Sequence, residues 1–187
     1  MDLKIYQTIL KNIKIFIGLL ITCLIRRITE SDAISFEKFM ASMFAENLPT
    51  LVPRGATPKP EQVNAYVARY AIGNNAVFLA EFDHNMIGSI ALTGFGRPQL
   101  DHVAGLGLNV AADCRGQGIG RGLLQHALQW AKQSSTIERI ELEVIENNSP
   151  AIHLYEHFGF QREGTKRNAV KKPERYFDMH IYGLVLK

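Results

Sequence analysis

The sequence lacks the features that mark several specialised classes of protein. Two cysteines among 187 residues, Cys23 and Cys114, cannot build a disulfide framework, so we expect a reducing compartment and a cytoplasmic location. The formal net charge is only +3 and no basic stripe is interleaved with aromatic residues, so we expect no nucleic-acid partner. Hydrophobic residues make up 47% and charged residues 21%, as in globular proteins, and one domain of ordinary size is expected.

The N-terminal apolar run is too short to span a membrane as a helix. It extends from Ile15 to Ile25, with Lys14 before it and Arg26-Arg27 after it. No small-residue cleavage site of a signal peptide follows the run. We expect residues 1–23 to form an amphipathic extension, with a membrane-surface anchor or an export signal as alternatives. Membrane association is expected only through residues 1–25.

One glycine-rich turn lies between a predicted strand and a predicted helix. Leu106, Leu108 and Val110 alternate as in a strand, Arg115-Gly116-Gln117-Gly118-Ile119-Gly120 follows, and an amphipathic run then continues to Ala131. This order directs backbone N–H groups and the positive end of a helix dipole to one point, which favours phosphate binding. The turn lacks the lysine of a P-loop, and its glycine spacing differs from that of the dinucleotide fingerprint.

A second motif follows and predicts a strand, a short helix and a strand. The segment 139–145 alternates and is rich in β-branched residues, which indicates a strand. Ser149 is a suitable helix N-cap, and Pro150 suits the first helical position. Gly159 suits the left-handed position just after a helix.

Together the two motifs resemble those of the GNAT superfamily of acyl-CoA-dependent N-acetyltransferases. The family pattern Q/R-x-x-G-x-G/A is matched by Arg115, Gly118 and Gly120. The family pattern N-x-x-A-x-x-x-Y-x-x-x-G-F is matched by Asn148, Ala151, Tyr155, Gly159 and Phe160. The resemblance covers residues 24–186, and the nearest branches acetylate amino acids, other small amines or ribosomal-protein alanine.

The resemblance implies a GNAT fold of the α+β (α/β-type) class. Its mixed, mostly antiparallel central sheet has about seven strands and is flanked by about four helices. The acetyltransferase domain is expected at 24–187, after the extension at 1–23. Hydrophobic patterns predict strands at 24–29, 76–81, 86–92, 102–110, 139–145, 160–163 and 175–186, and helices at 31–47, 61–72, 118–132 and 150–158. A proline-rich loop at 48–60 is a candidate for the substrate side.

The resemblance also implies acetyl-CoA as co-substrate and no metal. The expected pyrophosphate contacts are backbone N–H groups of Arg115, Gly116, Gln117, Gly118, Ile119, Gly120 and Arg121. The backbone of Leu108, Asn109 and Val110 is expected to contact pantetheine and the thioester oxygen, on a strand that bulges in resembling enzymes. The Asn148 side chain either contacts pantetheine or caps the following helix.

Two residues are predicted to carry the proton transfers. A tyrosine is protonated at neutral pH, so Tyr155 is the predicted general acid that protonates the departing thiolate. A buried structural tyrosine is the alternative. Glu143, in a Leu-Glu-Val context twelve residues earlier, matches the catalytic glutamate of the ribosomal-protein-alanine branch and is the predicted base. Glu141 on the same strand face, His102 and His180 are alternative bases. A further alternative is that both glutamates are solvated or bind the substrate ammonium.

The predicted function is transfer of an acetyl group from acetyl-CoA to a primary amine by direct attack. A free amino acid or another small amine is favoured because 164–167 and 176–178 look most like the small-molecule branch. A protein N-terminal acetyltransferase and a non-catalytic acyl-CoA sensor or scaffold are the alternatives. Dimerisation is common in resembling enzymes, and the sequence leaves a homodimer open.

Two further patterns have plainer interpretations. His153, Glu156 and His157 spell H-x-x-E-H, an inverted zincin motif, but the predicted helix is short and a third zinc ligand is missing. The basic residues between 166 and 175 are interpreted as a solvated surface loop, with steering of an anionic cofactor as the alternative.

Overall fold

The computed structural model describes residues 23–46, 60–70, 74–173 and 175–187. The described strands are β1 Leu24–Arg27, β2 Ala76–Phe82, β3 Asn85–Gly94, β4 Val103–Val110, β5 Arg139–Ile145, β6 Gln161–Lys171 and β7 Tyr176–Val185. The described α-helices are α1 Ala33–Ala45, α2 Pro60–Arg69, α3 Ile119–Gln133 and α4 Ser149–His157. The expected extension before residue 23 and the proline-rich loop before Pro60 lie outside the described residues.

The seven strands form one sheet in the order β1-β2-β3-β4-β5-β7-β6. Every neighbouring pair is antiparallel except β4 and β5, which are parallel. The helix α3 connects this parallel pair, as a crossover connection requires. This mixed, mostly antiparallel sheet with four described helices confirms the fold class expected from the sequence.

Helices cover the two faces of the sheet unequally. The helices α3 and α4 pack on one side, where Leu123 and Leu124 are fully buried against even-numbered residues of β4 and β5. Truncation of either leucine to alanine is expected to cost about 2–5 kcal/mol of stability. This side is the α3/α4 face of the sheet. On the opposite side, the α1/α2 face, Phe36 and Val63 pack over Val77 and Leu79 of β2.

The strand β6 is longer than the sequence pattern indicates. A strand is present where one was predicted at 160–163, but the predicted bounds are too short, because β6 runs from Gln161 to Lys171 and is irregular near Arg162 and between Lys166 and Val170. An edge strand buries little, and charged side chains keep such edges from pairing with other chains. Hydrophobic alternation is therefore nearly absent, and the predicted surface loop at Lys166 is part of this strand.

The helix α4 begins differently from the prediction. Ser149 is not the N-cap; Asn148 holds that position, and its side-chain oxygen accepts from the Ala151 N–H at 3.4 Å. The end of the helix agrees with the sequence, since Gly159 has a φ of 88°.

Candidate active site

A gap opens between β4 and β5, near the middle of the sheet. The two strands pair from Val103 opposite Arg139 to Gly105 opposite Glu141, and the pairing then ends. The opposite side of β4 stays in one register with β3, from Gly94 opposite Ala104 to Gly88 opposite Val110. The expected bulge of β4 is therefore not seen over these described residues, and the gap results from divergence of β5.

Alternate residues of β4 direct their backbone N–H and C=O groups into this gap. The Ala111 N–H donates to the Ile87 carbonyl at 2.9 Å, on the β3 side. Alternation along the strand then directs the Asn109 backbone to β3, whereas Leu108 and Val110 direct theirs into the gap. Two of the three predicted β4 residues thus present an N–H group toward the gap.

The glycine-rich turn has the backbone geometry of an anion site. Gly116 and Gly118 have φ values of 71° and 82°, a region that favours glycine. The first hydrogen bond of α3 runs from the Gly122 N–H to the Gly118 carbonyl at 3.0 Å. In the described part of the chain, no backbone carbonyl accepts from the six N–H groups of residues 116–121. The Arg115 N–H, which was also expected at the pyrophosphate, donates to the Ala112 carbonyl at 3.3 Å. N–H groups that no backbone carbonyl accepts from, at a helix N-terminus, suit a pyrophosphate.

The side chain of Arg115 connects this turn to neighbouring parts of the fold. Its Nε donates to the Val110 carbonyl at 2.9 Å, and its Nη2 lies 2.5 Å from Oε2 of Glu46, the residue after α1. The guanidinium therefore ties the turn to β4 and α1. Glu46 was not identified from the sequence, because 69 positions separate it from Arg115.

The first turn of α3 packs tightly against its neighbours. A Cβ added to Gly120 would lie 3.5 Å from Leu154 of α4 and 3.6 Å from Leu108 of β4. Ile119 is 3% exposed. Nη2 of Arg121 lies 3.1 Å from Nε2 of His157, and this contact links the start of α3 to the end of α4.

The remaining turn residue and the N-cap of α4 have structural roles in this state. The Gln117 side chain donates to the Asp113 carbonyl at 2.6 Å, within the turn. The Asn148 side chain caps α4, which is one of the two roles expected from the sequence. The Oδ1 atom of the neighbouring Asn147 is buried and has no hydrogen-bond partner among the described residues, a feature that the motif did not indicate.

Tyr155 lies on the α3/α4 face, packed against Phe160 with ring centroids 5.8 Å apart. It is 7% exposed, and burial raises the pKa of its hydroxyl to about 12. Burial is the single cause of this shift. The phenol is therefore protonated throughout the physiological range, as a proton donor must be.

Glu143 lies on the opposite face of the sheet. Its neighbours Leu142 and Val144 face the α3/α4 core, so alternation directs Glu143 to the α1/α2 face. Its side chain is 34% exposed, and Oε1 lies 2.5 Å from Nζ of Lys166 on β6. Glu143 and Tyr155 are thus on opposite faces of the sheet.

The alternative bases occupy less suitable positions. Glu141 shares the face of Glu143 but lies 3.6 Å from Nε of Arg139. His180 is opposite Val144 in the sheet, which places it on the other face, and burial is the main cause that lowers its pKa. His102 precedes β4, at the far end from the gap.

Next to Glu143, two residues on the α1/α2 face of β4 are glycines, which have no side chain. Gly105 and Gly107 alternate with the buried Leu106 and the partly buried Leu108, and a Cβ added to Gly107 would meet no atom of the described residues within 4 Å. Among these residues, the surface over Gly107 is open next to the gap, and Asn109 borders it on the same strand face.

The H-x-x-E-H residues make other contacts in the fold. Glu156 accepts from the buried Tyr182 hydroxyl at 2.9 Å, and His157 contacts Arg121. Within the described ranges, no group of three or more His, Cys, Asp or Glu side chains is arranged to hold a metal ion. None of the described helices is long and apolar enough to cross a membrane.

Comparison with known proteins identifies this arrangement. The sequence model of the acetyltransferase (GNAT) family matches residues 40–160. L-amino acid N-acetyltransferase AaaT of Escherichia coli (strain K12) is 28% identical over 107 residues. These cover 57% of this chain and 66%, just under two thirds, of the relative's own length.

Solved structures share the fold over nearly their whole length. A GNAT-family acetyltransferase from Streptococcus pneumoniae has a TM-score of 0.83 at 24% identity, covering 88% of this chain and 99% of that one. The protein yncA from Salmonella typhimurium, solved with its cofactor acetyl-CoA, has a TM-score of 0.79 at 16% identity, covering 89% of this chain and 95% of that one. The family match confirms what the two motifs indicate: this chain belongs to the GNAT family of acetyltransferases, a class of acyl-CoA-dependent N-acyltransferases.

Proposed function

We propose that this protein transfers the acetyl group of acetyl-CoA to the primary amine of a free amino acid or another small molecule. The observation that carries the proposal is the set of six N–H groups at residues 116–121, from which no described backbone carbonyl accepts, beside a gap in the sheet. A pyrophosphate bound there would let the pantetheine arm extend along the backbone of Leu108 and Val110. No metal is needed in this proposal.

Each predicted residue has a defined task. Acetyl-CoA, when bound, supplies an acetyl group activated as a thioester. The N–H groups of β4 that face the gap donate to the carbonyl oxygen and stabilise the charge that develops on it. Glu143 accepts a proton from the acceptor ammonium, directly or through water, so that the neutral nitrogen attacks. Tyr155 donates its proton to the sulfur as the carbon–sulfur bond breaks, and the second proton lost by the attacking nitrogen restores the phenol through water.

The positions of these groups support attack across the gap. Tyr155 is on the α3/α4 face, where the turn at 116–121 lies, and Glu143 is on the α1/α2 face. An acceptor on the open surface over Gly107 would therefore approach the thioester from the side opposite Tyr155. Acid and base would not compete for the same space.

The choice of a small acceptor draws on two observations. The E. coli relative is named for L-amino acids, and the segments 164–167 and 176–178 resemble the small-molecule branch. We also propose that the catalytic domain begins at Leu24, because β1 pairs with β2 from that residue on. A protein N-terminus is the competing acceptor.

A binding titration followed by an amine screen tests the proposal. Acetyl-CoA at about 100 times its Kd should stabilise the protein by about 2.7 kcal/mol, whereas ATP and NAD should give no comparable shift. The screen measures thiol release with free amino acids, polyamines and short peptides. Release with amino acids or other small amines supports the proposal. Release with peptides alone favours the N-terminal alternative, and absence of acetyl-CoA binding contradicts the acetyltransferase activity.

A further inference from the structure

We propose that Lys166 recognises a carboxylate on the acceptor, so that this protein selects amines carrying an anionic group next to the amino group, as α-amino acids do. This inference rests on the proposed function. It assigns a role to a lysine that the family motifs do not include, and it names the chemical feature that distinguishes a substrate from other small amines.

The first support is the position of the lysine. Glu143 is opposite Ile181 on β7, and Lys166 is opposite Met179 on the other side of the same strand. Because directly opposite residues share a face, both side chains lie on the α1/α2 face. Their charged ends meet over β7, with Nζ 2.5 Å from Oε1.

The second support is access. The Lys166 side chain is 51% exposed and that of Glu143 is 34% exposed, so solvent reaches both partners. Among the described residues, the surface next to Glu143 is open over Gly107, where an added Cβ would meet no atom within 4 Å. An acceptor can therefore reach the pair from the side of the gap.

The third support is charge complementarity. The Glu143–Lys166 pair presents one negative and one positive group in direct contact, and an α-amino acid presents the same two charges on neighbouring carbons. Binding would exchange one ion pair for two, with the ammonium on Glu143 and the carboxylate on Lys166. Exposed ion pairs are weak, so breaking the original pair costs little.

Two other cations among the described residues, Arg139 and Arg175, are held by their own carboxylate partners. Arg139 lies against Glu141 and Glu163, and Arg175 pairs with Glu146 at 3.2 Å. By contrast, among the described residues Lys166 pairs only with the Glu143 carboxylate, which is the group that the acceptor ammonium would occupy. Amine binding would therefore release Lys166 at the moment when a carboxylate arrives. A diamine would instead place a second cation against it.

The test compares each accepted amino acid with its carboxamide, which keeps the amine and loses the charge. We expect the wild-type enzyme to prefer the acid at least tenfold in kcat/KM. In Lys166→Met this preference should fall to about threefold or less, through a higher KM for the acid. In Lys166→Glu the enzyme should prefer a diamine to the amino acid. Lys171→Met is the matched control, because Lys171 is opposite Tyr176 and lies 5.8 Å from its ring, away from Glu143.

The outcomes separate this inference from the proposed function. Equal use of acid and carboxamide by the wild type, or an unchanged preference in Lys166→Met, overturns the role of Lys166 while acetyl transfer stands. Efficient acetylation of polyamines or peptides, together with no acetylation of amino acids, also overturns the role of Lys166. If acetyl-CoA releases no thiol with any amine, the proposed function itself fails. Melting temperatures of all variants verify that each is folded.

Discussion

The two sides of the gap between β4 and β5 are constructed from different parts of the chain. On the α3/α4 face, the proposed cofactor site consists of backbone N–H groups from one continuous turn, residues 116–121. On the α1/α2 face, the proposed acceptor site consists of side chains from separate strands, Glu143 on β5 and Lys166 on β6, over the bare backbone of Gly107. The first site depends on local conformation, and the second depends on how distant segments pair.

This difference predicts how each side responds to substitution. A site made of backbone groups loses affinity when its conformation is lost, so replacement of a single glycine should weaken cofactor binding. A side-chain site fails by loss of one charge or proton, so substitutions there should act on turnover or on the acceptor KM. Tyr155 is the intermediate case, because it lies on the face of the proposed cofactor site but is proposed to serve the chemical step.

The largest effect is expected for the proton donor. Tyr155→Phe should lower kcat by about 10²- to 10³-fold, because general acid catalysis contributes factors of this order. Affinity for acetyl-CoA, measured by calorimetry, should change less than about threefold. Since the hydroxyl pKa is about 12, loss of activity from its ionisation should not appear below pH 10 in the wild type. Equal turnover of variant and wild type would remove the acid role from Tyr155.

Nearly as large an effect is expected for the turn. Gly118 has a φ of 82°, and a β-branched side chain there would force the turn out of shape. Gly118→Val should weaken acetyl-CoA binding by about 10²-fold, or about 2.7 kcal/mol. Gly107→Ala is the matched change on the acceptor side and should raise the amine KM while the Kd of acetyl-CoA stays within about twofold. If Gly107→Ala weakened the cofactor as much as Gly118→Val, the two sides would not be separate sites.

The predicted base should produce a smaller effect that depends on pH. Glu143→Gln should lower kcat/KM for the amine by about 10- to 10²-fold near pH 7, because the acceptor ammonium loses its proton acceptor. The deficit should narrow as pH rises toward the pKa of the amine, where the neutral amine is already abundant. Glu141→Gln, on the same face two residues away, is the control. A deficit that stays constant with pH would assign Glu143 to binding alone.

The contrast between the two sides also explains which features could be predicted from sequence. Glycine spacing and helix start signals are local, so the turn at 116–121 and the strand Arg139–Ile145 agree with their predicted positions. The pairing of Glu143 with Lys166 joins residues 23 positions apart, and β6 is an edge strand with almost no alternation to identify it. The sequence placed the predicted base on a strand but gave no signal for its partner.

The smallest effect on binding and turnover is expected for ion pairs at the edge strand β1, away from the gap. A substitution there serves as a control for effects of global stability. Arg26 forms ion pairs with Asp32 at 2.7 Å and with Glu81 at 2.9 Å, and the Asp32 carboxylate also accepts from the Thr29 N–H. The Arg26 guanidinium is the main cause that lowers the pKa of Asp32 from 3.8 to about 2. A depressed pKa contributes stability that is fully present above pH 4 and is lost as pH falls through 2, here about 2 kcal/mol.

Asp32→Asn should therefore reduce the free energy of unfolding by about 2 kcal/mol at pH 7, and the deficit should shrink between pH 4 and pH 2. Urea titrations at a series of pH values measure this difference, with Glu30→Gln, an exposed carboxylate in the same turn, as the control. At 25 °C, the folded variant should keep wild-type acetyl-CoA affinity and amine KM, because Asp32 touches neither side of the gap. A loss of cofactor affinity in Asp32→Asn comparable to that in Gly118→Val would mean that affinity follows global stability, and the distinction between a backbone site and a side-chain site would then lose its support.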